Sequence, residues 1–216
     1  MIDLHTHSFL SDGALIPSEL FRRAEAKGIE ALAITDHVDA SNIDLVVPRL
    51  VEVCREVAPY LSLRPIPGAE ITHAPPDTLL GLVKRARDLG ARIVTVHGET
   101  IAEPVRRGTN RAALLSEIDF LAHPGLISPE EVELARARGI LLEITSRRGH
   151  SLTNGHVARL ALEAGVGLIV NTDAHEPGDL LDDASAREVA LGAGLSEAQV
   201  AAVWACSRDV AARAWP

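Results

Sequence analysis

The chain has 216 residues and a formal net charge of −9, with 47% hydrophobic, 24% charged and only 3% aromatic residues. The acidic balance excludes a broad basic surface for gripping nucleic-acid backbone, and so few aromatic rings leave no stacking platform for single strands. No apolar run reaches the roughly 18 residues of a membrane span, and the opening MIDLHTH lacks the basic and apolar regions of a signal peptide, so a cytoplasmic protein without membrane or extended nucleic-acid partners is expected.

Short apolar runs mark strands at Met1–His5, Glu30–Thr35, Arg64–Ile71, Arg92–His97, Asp119–Ala122, Ile140–Thr145 and Gly167–Asn171. They are apolar throughout rather than alternating, as in strands covered on both faces of a parallel sheet. Helical patterns lie between most of them. PSELFRRAEAKG opens near Pro17 or Ser18 and closes on Gly28, the usual asymmetry of proline at a helix start and glycine at its end. DLVVPRLVEVCREV is periodic but carries Pro48, where a break or a helix start is expected. DTLLGLVKRARDLG, SPEEVELARARG and NGHVARLALEAG each have a plausible cap and a terminal glycine, and the tail adds DASAREVALGAG and SEAQVAAVWACSRDVAARA. Strand–loop–helix repeated along the chain means βα units with right-handed crossovers. An open doubly wound sheet and a closed barrel both fit, in a single domain over residues 1–216. Cys54 and Cys206 form no CxxC pair and read as reduced thiols.

Polar residues collect where these strands end. The first ends in His5 and His7, the second in Asp36 and His37, and the third in Glu70. The fourth ends in His97, the fifth in His123, the sixth near Glu143, and the seventh in Asp173 and His175. In βα barrels the carboxyl ends of the strands build the active site, and residues two apart in a strand point the same way. His5 with His7, and Asp173 with His175, can therefore each address one ion. Imidazoles and carboxylates without thiolates suit Zn²⁺, Mn²⁺ or Fe²⁺. His5, His7, Glu70, His97, His123 and Asp173 suffice for two ions, and Asp12, His37 and His175 for a third, with Glu70 as the bridging anion. A carboxylated lysine, the usual bridge of amidohydrolases, has no source here: the only lysines, Lys27 and Lys84, fall in expected helices.

In this order HTHSFLSDG, ITDH, GAE, the lone His97, AHP and NTDAH resemble the PHP family, the polymerase and histidinol phosphatase domain. The resemblance spans His5 to His175. It implies an α/β fold, a distorted (β/α)7 TIM-like barrel, with a centre of two or three divalent ions. It also implies the grouping: His5, His7, Glu70 and Asp173 at a first position, Glu70, His97 and His123 at a second, Asp12, His37 and His175 at a third. Some family phosphatases carry histidine where this chain has Asp12.

The expected chemistry is hydrolysis of a small phosphorylated metabolite, histidinol phosphate among the candidates, by a metal-activated water. His97, His175 or a metal would assist the leaving group. Phosphate favours the planar fork of arginine, which points to Arg147 and Arg148, with His150 beside them as a substrate contact. Arg106, Arg107 and Arg111 form a second set of candidates. Asp36 reads as a turn-closing residue, His73 as a neighbour of the ligands, His156 as structural, and Asn154 and Asn171 as turn or cap residues. A phosphodiesterase or nucleotide phosphatase of the nuclease-like branch is the alternative. A scaffold that has lost catalysis would be recognised by missing ligands, and here every expected position is filled. Oligomeric state is not legible.

Overall fold

In the computed structural model, which describes residues 1–214, the chain folds as a nearly closed barrel of parallel strands wrapped by helices. In chain order these are β1 (Ile2–Asp3), α1 (Pro17–Ala26), β2 (Ala31–Ile34), β3 (His37–Val38), α2 (Ile43–Val57), β4 (Arg64–Ile71), α3 (Leu79–Asp88) and β5 (Ile93–His97). Then follow α4 (Thr109–Leu114), β6 (Phe120–Ala122), α5 (Pro129–Arg138), β7 (Leu141–Thr145), α6 (Asn154–Ala164), β8 (Leu168–Asn171), α7 (Asp183–Gly192) and α8 (Glu197–Ala214). The spatial order is β1-β2-β4-β5-β6-β7-β8, with β3 continuing β2's line along β4. Every ladder is parallel. This is the distorted TIM-like (β/α)7 barrel. The second expected strand, Glu30–Thr35, stands as β2, and β3 is a two-residue addition beyond it that pairs with the carboxyl end of β4.

The seam between β1 and β8 closes only at the carboxyl end. There the His7 amide donates to Ala174 O at 2.8 Å and the Asp173 amide to His5 O at 2.9 Å. The closure that completes the barrel thus lies in the two histidine-bearing segments from opposite ends of the chain.

The helices form because each has an apolar face to bury. α1 buries Leu20, Phe21 and Ala24, and α3 buries Leu79, Val83 and Ala86. α5 begins with a reciprocal capping box between Ser128 and Glu131 and ends on left-handed Gly139. Pro48 neither breaks nor starts a helix: α2 begins at Ile43 and runs through it. Losing one hydrogen bond there is outweighed by the buried stripe of Ile43, Val46, Val47, Leu50 and Cys54. α4 is an addition to the expected elements. Its six residues, TNRAAL, are too short to show a period.

Inside the barrel the strands rise through layers. Ile66, Ile93 and Ile169 belong to an apolar cluster completed by Val210, Ala211 and Ala214 of α8. Two residues further along the same strands come Gly68, Thr95 and Asn171, and two further Glu70, His97 and Asp173. Because strand side chains repeat every second residue, each strand carries its register from hydrocarbon at one end to metal-ligand chemistry at the other.

Candidate metal centre

At the carboxyl ends of the strands the histidines and carboxylates converge in the buried interior. His5, His7, Glu70, His97, His123 and Asp173 are at most 2% exposed. Asp12, His37 and His175 lie nearer solvent. Glu70 stands in the middle. Its Oε2 is 3.4 Å from His5 Nε2, 3.6 Å from His7 Nε2 and 2.8 Å from His37 Nδ1, while its Oε1 is 3.5 Å from His123 Nε2. Asp173 Oδ1 lies 3.0 Å from His7 Nε2 and 3.6 Å from His5 Nε2, and Asp173 Oδ2 lies 3.7 Å from His123 Nε2. Asp12 Oδ1 lies 3.2 Å from His175 Nε2 and 3.5 Å from His37 Nε2. The structure thus brings together all the residues expected as ligands. His97 reaches the cluster through its neighbours: its ring centroid is 4.5 Å from that of His123.

Two local distortions aim side chains inward. His123 and Asp173 follow their strands with positive φ, +25° and +53°, a conformation side-chain-bearing residues adopt rarely and at a cost of order 1–3 kcal/mol, typically where function requires it. Gly98, directly after His97, is required by packing: a Cβ there would collide with Ala122 O.

The donor set fits divalent ions. Among the described residues, the buried atoms without a hydrogen-bond partner are His5 Nε2, both ring nitrogens of His7, both oxygens of Glu70, His123 Nδ1 and Asp173 Oδ1. Each such atom costs about 1–3 kcal/mol when nothing meets it. All of them lie in this one cluster, and divalent ions are what such a set of nitrogen and carboxylate donors would satisfy. Lines of titration reflect the same crowding. Burial works against the charged form of His37, but the Glu70 carboxylate, with Asp12 and Asp173, raises it to about 9. Burial and the neighbouring His37 push His7 down to about 3. His5, although buried, is held well above the usual histidine range by Glu143, Glu70 and Asp173. The carboxyls of Glu70 and Asp173, despite burial, are held far below theirs by the surrounding imidazoles.

Around the donors sits a layer of positioning residues. Glu143 faces His5 Nδ1 at 2.8 Å and accepts from the His123 amide at 2.9 Å and from Asn171 Nδ2 at 2.8 Å. It therefore keeps a proton on His5 Nδ1, and Nε2, facing Glu70, is the nitrogen left to give up its proton to an ion. Asp3 accepts from Thr172 Oγ1 at 2.5 Å and from the Thr172 and His5 amides, and burial raises its carboxyl to about 6. Asp36 closes the loop carrying Asp12 by accepting from the Ser8 amide, Ser8 Oγ and Ser11 Oγ at 2.6–2.7 Å. Asn171 is not a cap. Its buried side chain ties the Leu4 amide to Glu143 across the seam. Asn154 holds both backbone groups of Thr145, and His156 Nε2 donates to Ile127 O at 2.8 Å. The positioning role of Glu143 and Asp3 had a signal in the sequence, a carboxylate inside an otherwise apolar strand. Glu103, described below, had none.

The expected substrate residues are spread around the rim. Arg147 pairs with Asp179 at 3.3 Å, and the same carboxylate oxygen accepts the His175 amide. Arg148 is exposed. His150 is buried, stacks on His123 with ring centroids 4.2 Å apart, and meets Thr100 Oγ1 at 2.7 Å. Burial and the neighbouring His123 lower it to about 4, so it is neutral at physiological pH. Arg106, Arg107 and Arg111 line a groove of about 340 Å³ beside α4.

The PHP domain family matches residues 3–164. "Uncharacterized protein MJ1295" of Methanocaldococcus jannaschii is 48% identical over 92% of each chain. The 5'-3' exoribonuclease Rnm of Escherichia coli is 32% identical over 76% of this chain, which spans about half of that relative's length (48%). Among solved structures, the histidinol phosphate phosphatase of Lactococcus lactis, complexed with zinc, L-histidinol and phosphate, superposes with a TM-score of 0.62 at 16% identity over 90% of this chain and 94% of that one.

Proposed function

The chain belongs to the PHP domain family, and from that premise we propose that it is a metal-dependent phosphoesterase that hydrolyses a small phosphomonoester, with histidinol phosphate as the first candidate. The observation that carries the proposal is the buried, otherwise partnerless donor set around Glu70.

His5, His7, Glu70 and Asp173 would hold one divalent ion, Glu70, His97 and His123 a second, and Asp12, His37 and His175 a third. Zinc, manganese and iron all suit these donors. Bound there, such ions supply Lewis acidity and a water acidified toward a pKa of about 7. The protein supplies the rest. Glu70 would serve both of the first two positions, and Glu143 holds His5 Nδ1 so that Nε2 faces inward. His175 has its Nδ1 at 2.9 Å from Asp173 O, which leaves Nε2 toward the opening. His97 and His175 turn Nδ1 to backbone carbonyls, so Nε2 can either bind an ion or hold a proton near a leaving oxygen, and with their ion positions filled the leaving oxygen falls to the ions. Exposed Arg148, and Arg147 beside the Asp179 carboxylate that accepts the His175 amide, are the proposed contacts for phosphoryl oxygens. The zinc-bound Lactococcus phosphatase supports the small-substrate reading through its fold.

A second reading is a nucleotide-end phosphatase or phosphodiesterase. The arginine groove beside α4, whose guanidinium groups have no carboxylate partner among the described residues, favours it, as does the Escherichia coli exoribonuclease relative. The deciding experiment measures phosphate release by metal-stripped protein reloaded with Mn²⁺, Zn²⁺ or Fe²⁺. Release from histidinol phosphate alone sustains the first reading. Phosphate release from nucleotides instead, or cleavage of a dinucleotide diester into nucleoside and nucleotide followed by chromatography, moves the protein to the second, and turnover of none removes both.

A further inference from the structure

We infer that His73, His97 and Glu103 form a further divalent-cation position at the rim of the centre, sharing only His97 with the three positions assigned above. The inference rests on the metal-centre reading and adds residues to it.

Glu103 lies on the loop between β5 and α4, six residues beyond His97. Its carboxylate reaches back over the opening. Oε2 lies 3.1 Å from His73 Nε2 and 3.3 Å from His97 Nε2, and Oε1 lies 3.4 Å from His150 Nε2. Charge-assisted hydrogen bonds between a carboxylate and a ring N–H are shorter, about 2.7–2.9 Å, and of the three contacts only that to His73 has hydrogen-bond geometry. Donors bound to one tetrahedral ion at about 2.1 Å stand about 3.4 Å from each other. The observed spacings match ligands that share an ion better than a simple ion pair.

The backbone supports the same reading. His73 has a φ of +50°, a strained conformation for a histidine, and it places the ring centroid 5.0 Å from that of His97. His97 Nδ1 faces Gly98 O at 3.2 Å, so the proton sits there and Nε2 keeps its lone pair. The loop that delivers Glu103 is fixed at its root. The Glu99 carboxylate accepts the Gly108 and Asn110 amides at 2.9 and 3.0 Å, and Asn110 Oδ1 accepts the Glu99 amide at 2.9 Å. A Cβ on Gly125, whose φ is +65°, would collide with Glu99 O.

Two imidazoles and one carboxylate, with a side open to solvent, are a ligand set for Zn²⁺ or a similar ion with room for an exchangeable water. Glu103 and His73 are 40% and 43% exposed in their side chains, so an ion there is accessible. His97 has one lone pair. An ion at the rim therefore takes His97 from the ion that Glu70 and His123 would continue to hold, and as the additional ion it fills at the higher metal concentration.

The test is anomalous diffraction at the zinc edge from crystals of the full chain, grown with stoichiometric zinc and then with excess. The expected result is a peak bonded to Glu103, His73 and His97 in excess zinc, lost in Glu103→Gln while the peaks around Glu70 remain. In solution, chelator competition should show the weakest-bound zinc ion of the wild type weakened at least tenfold in Glu103→Gln and in His73→Asn. Zinc confined to the Glu70-centred positions, with unchanged affinities in both variants, overturns the rim position alone. Absence of zinc everywhere overturns the metal-centre reading with it.

Discussion

The two ends of the barrel interior are built from the same strands and obey opposite rules. At the amino end Ile2, Leu4, Ala31, Ala33, Ile66, Ile93 and Phe120 pack against α8 with no polar partner to satisfy. At the carboxyl end, two to four residues further along, the same strands present imidazoles and carboxylates whose buried donor atoms have no hydrogen-bond partner. One end gains free energy by excluding water. The other spends some of it to hold charges and lone pairs at fixed separations. Side chains in one barrel thus divide into a part that makes the fold and a part that the fold keeps ready.

The sharpest way to break this division is to change one residue at each end. Asp173→Ala or His7→Ala should lower metal-dependent turnover by about 10³-fold or more with the far-ultraviolet circular dichroism unchanged, because the ligands lie on a frame that does not depend on them. Ile93→Ala should do the reverse. It should cost about 2–5 kcal/mol in denaturant unfolding, as for other large-to-small core changes, and leave kcat of the folded protein within about twofold. A collapse of the fold in Asp173→Ala, or a loss of turnover in folded Ile93→Ala, would show that the two ends are not separable.

Glu143→Gln probes the boundary between them. It removes the charge that fixes the His5 tautomer, and metal affinity by chelator competition should fall about 10–100-fold, as for other residues that orient metal ligands. An unchanged affinity would place Glu143 with the core rather than with the site.

Titration sharpens the comparison further. Metal-free His37 is raised to about 9 by Glu70, against its burial. A histidine whose folded value is raised contributes stability that is complete below about pH 6.5, its unfolded value, and lost as pH climbs through about 9. His5 and His97 are raised as well and act in the same direction, whereas His7, lowered to about 3, is neutral throughout this window and adds no slope. Metal binding needs the neutral rings and has the opposite dependence. Between pH 6.5 and 9 the Tm of the stripped protein should fall while the Tm gain on adding zinc grows, both read by differential scanning calorimetry. A metal-induced gain that shrinks with rising pH would contradict the assignment.

The smallest effect concerns the thiols. Burial raises both Cys54 and Cys206, and Cys206 is further raised by Asp209. Cys54 is buried on α2, while Cys206 is part-exposed on α8. A thiol reagent should therefore label Cys206 slowly and Cys54 only on unfolding. Rapid labelling of Cys54 would mean that the helical layer opens readily.

Local patterning explains why most of the fold was legible. Short runs apolar throughout and helices with an apolar stripe are decided by their own residues, so seven strands and most helices stand where the sequence places them. Where local and tertiary terms competed, the sequence misled: Pro48 reads as a boundary, yet burial of the α2 stripe carries the helix through it. α4 is too short for a period to show. The ligand types could be read because strand ends in a parallel barrel converge. That Glu103 swings back over His97, that His73 takes a left-handed turn toward it, and that Arg147 is engaged by Asp179 depend on loop paths no short stretch encodes.

By itself, then, the sequence determined the alternation of strands and helices and the residue types at the carboxyl ends of the strands, because each follows from local period and spacing, while its motifs carried the resemblance to the family. Only the tertiary structure decided which nitrogen of each ring faces Glu70, which carboxylates position and which present a lone pair, and where the chain's two ends meet to close the barrel. Those depend on contacts between residues far apart in the chain, such as Leu4 with Asn171 and His5 with Glu143, whose separations of 167 and 138 residues leave no periodic trace.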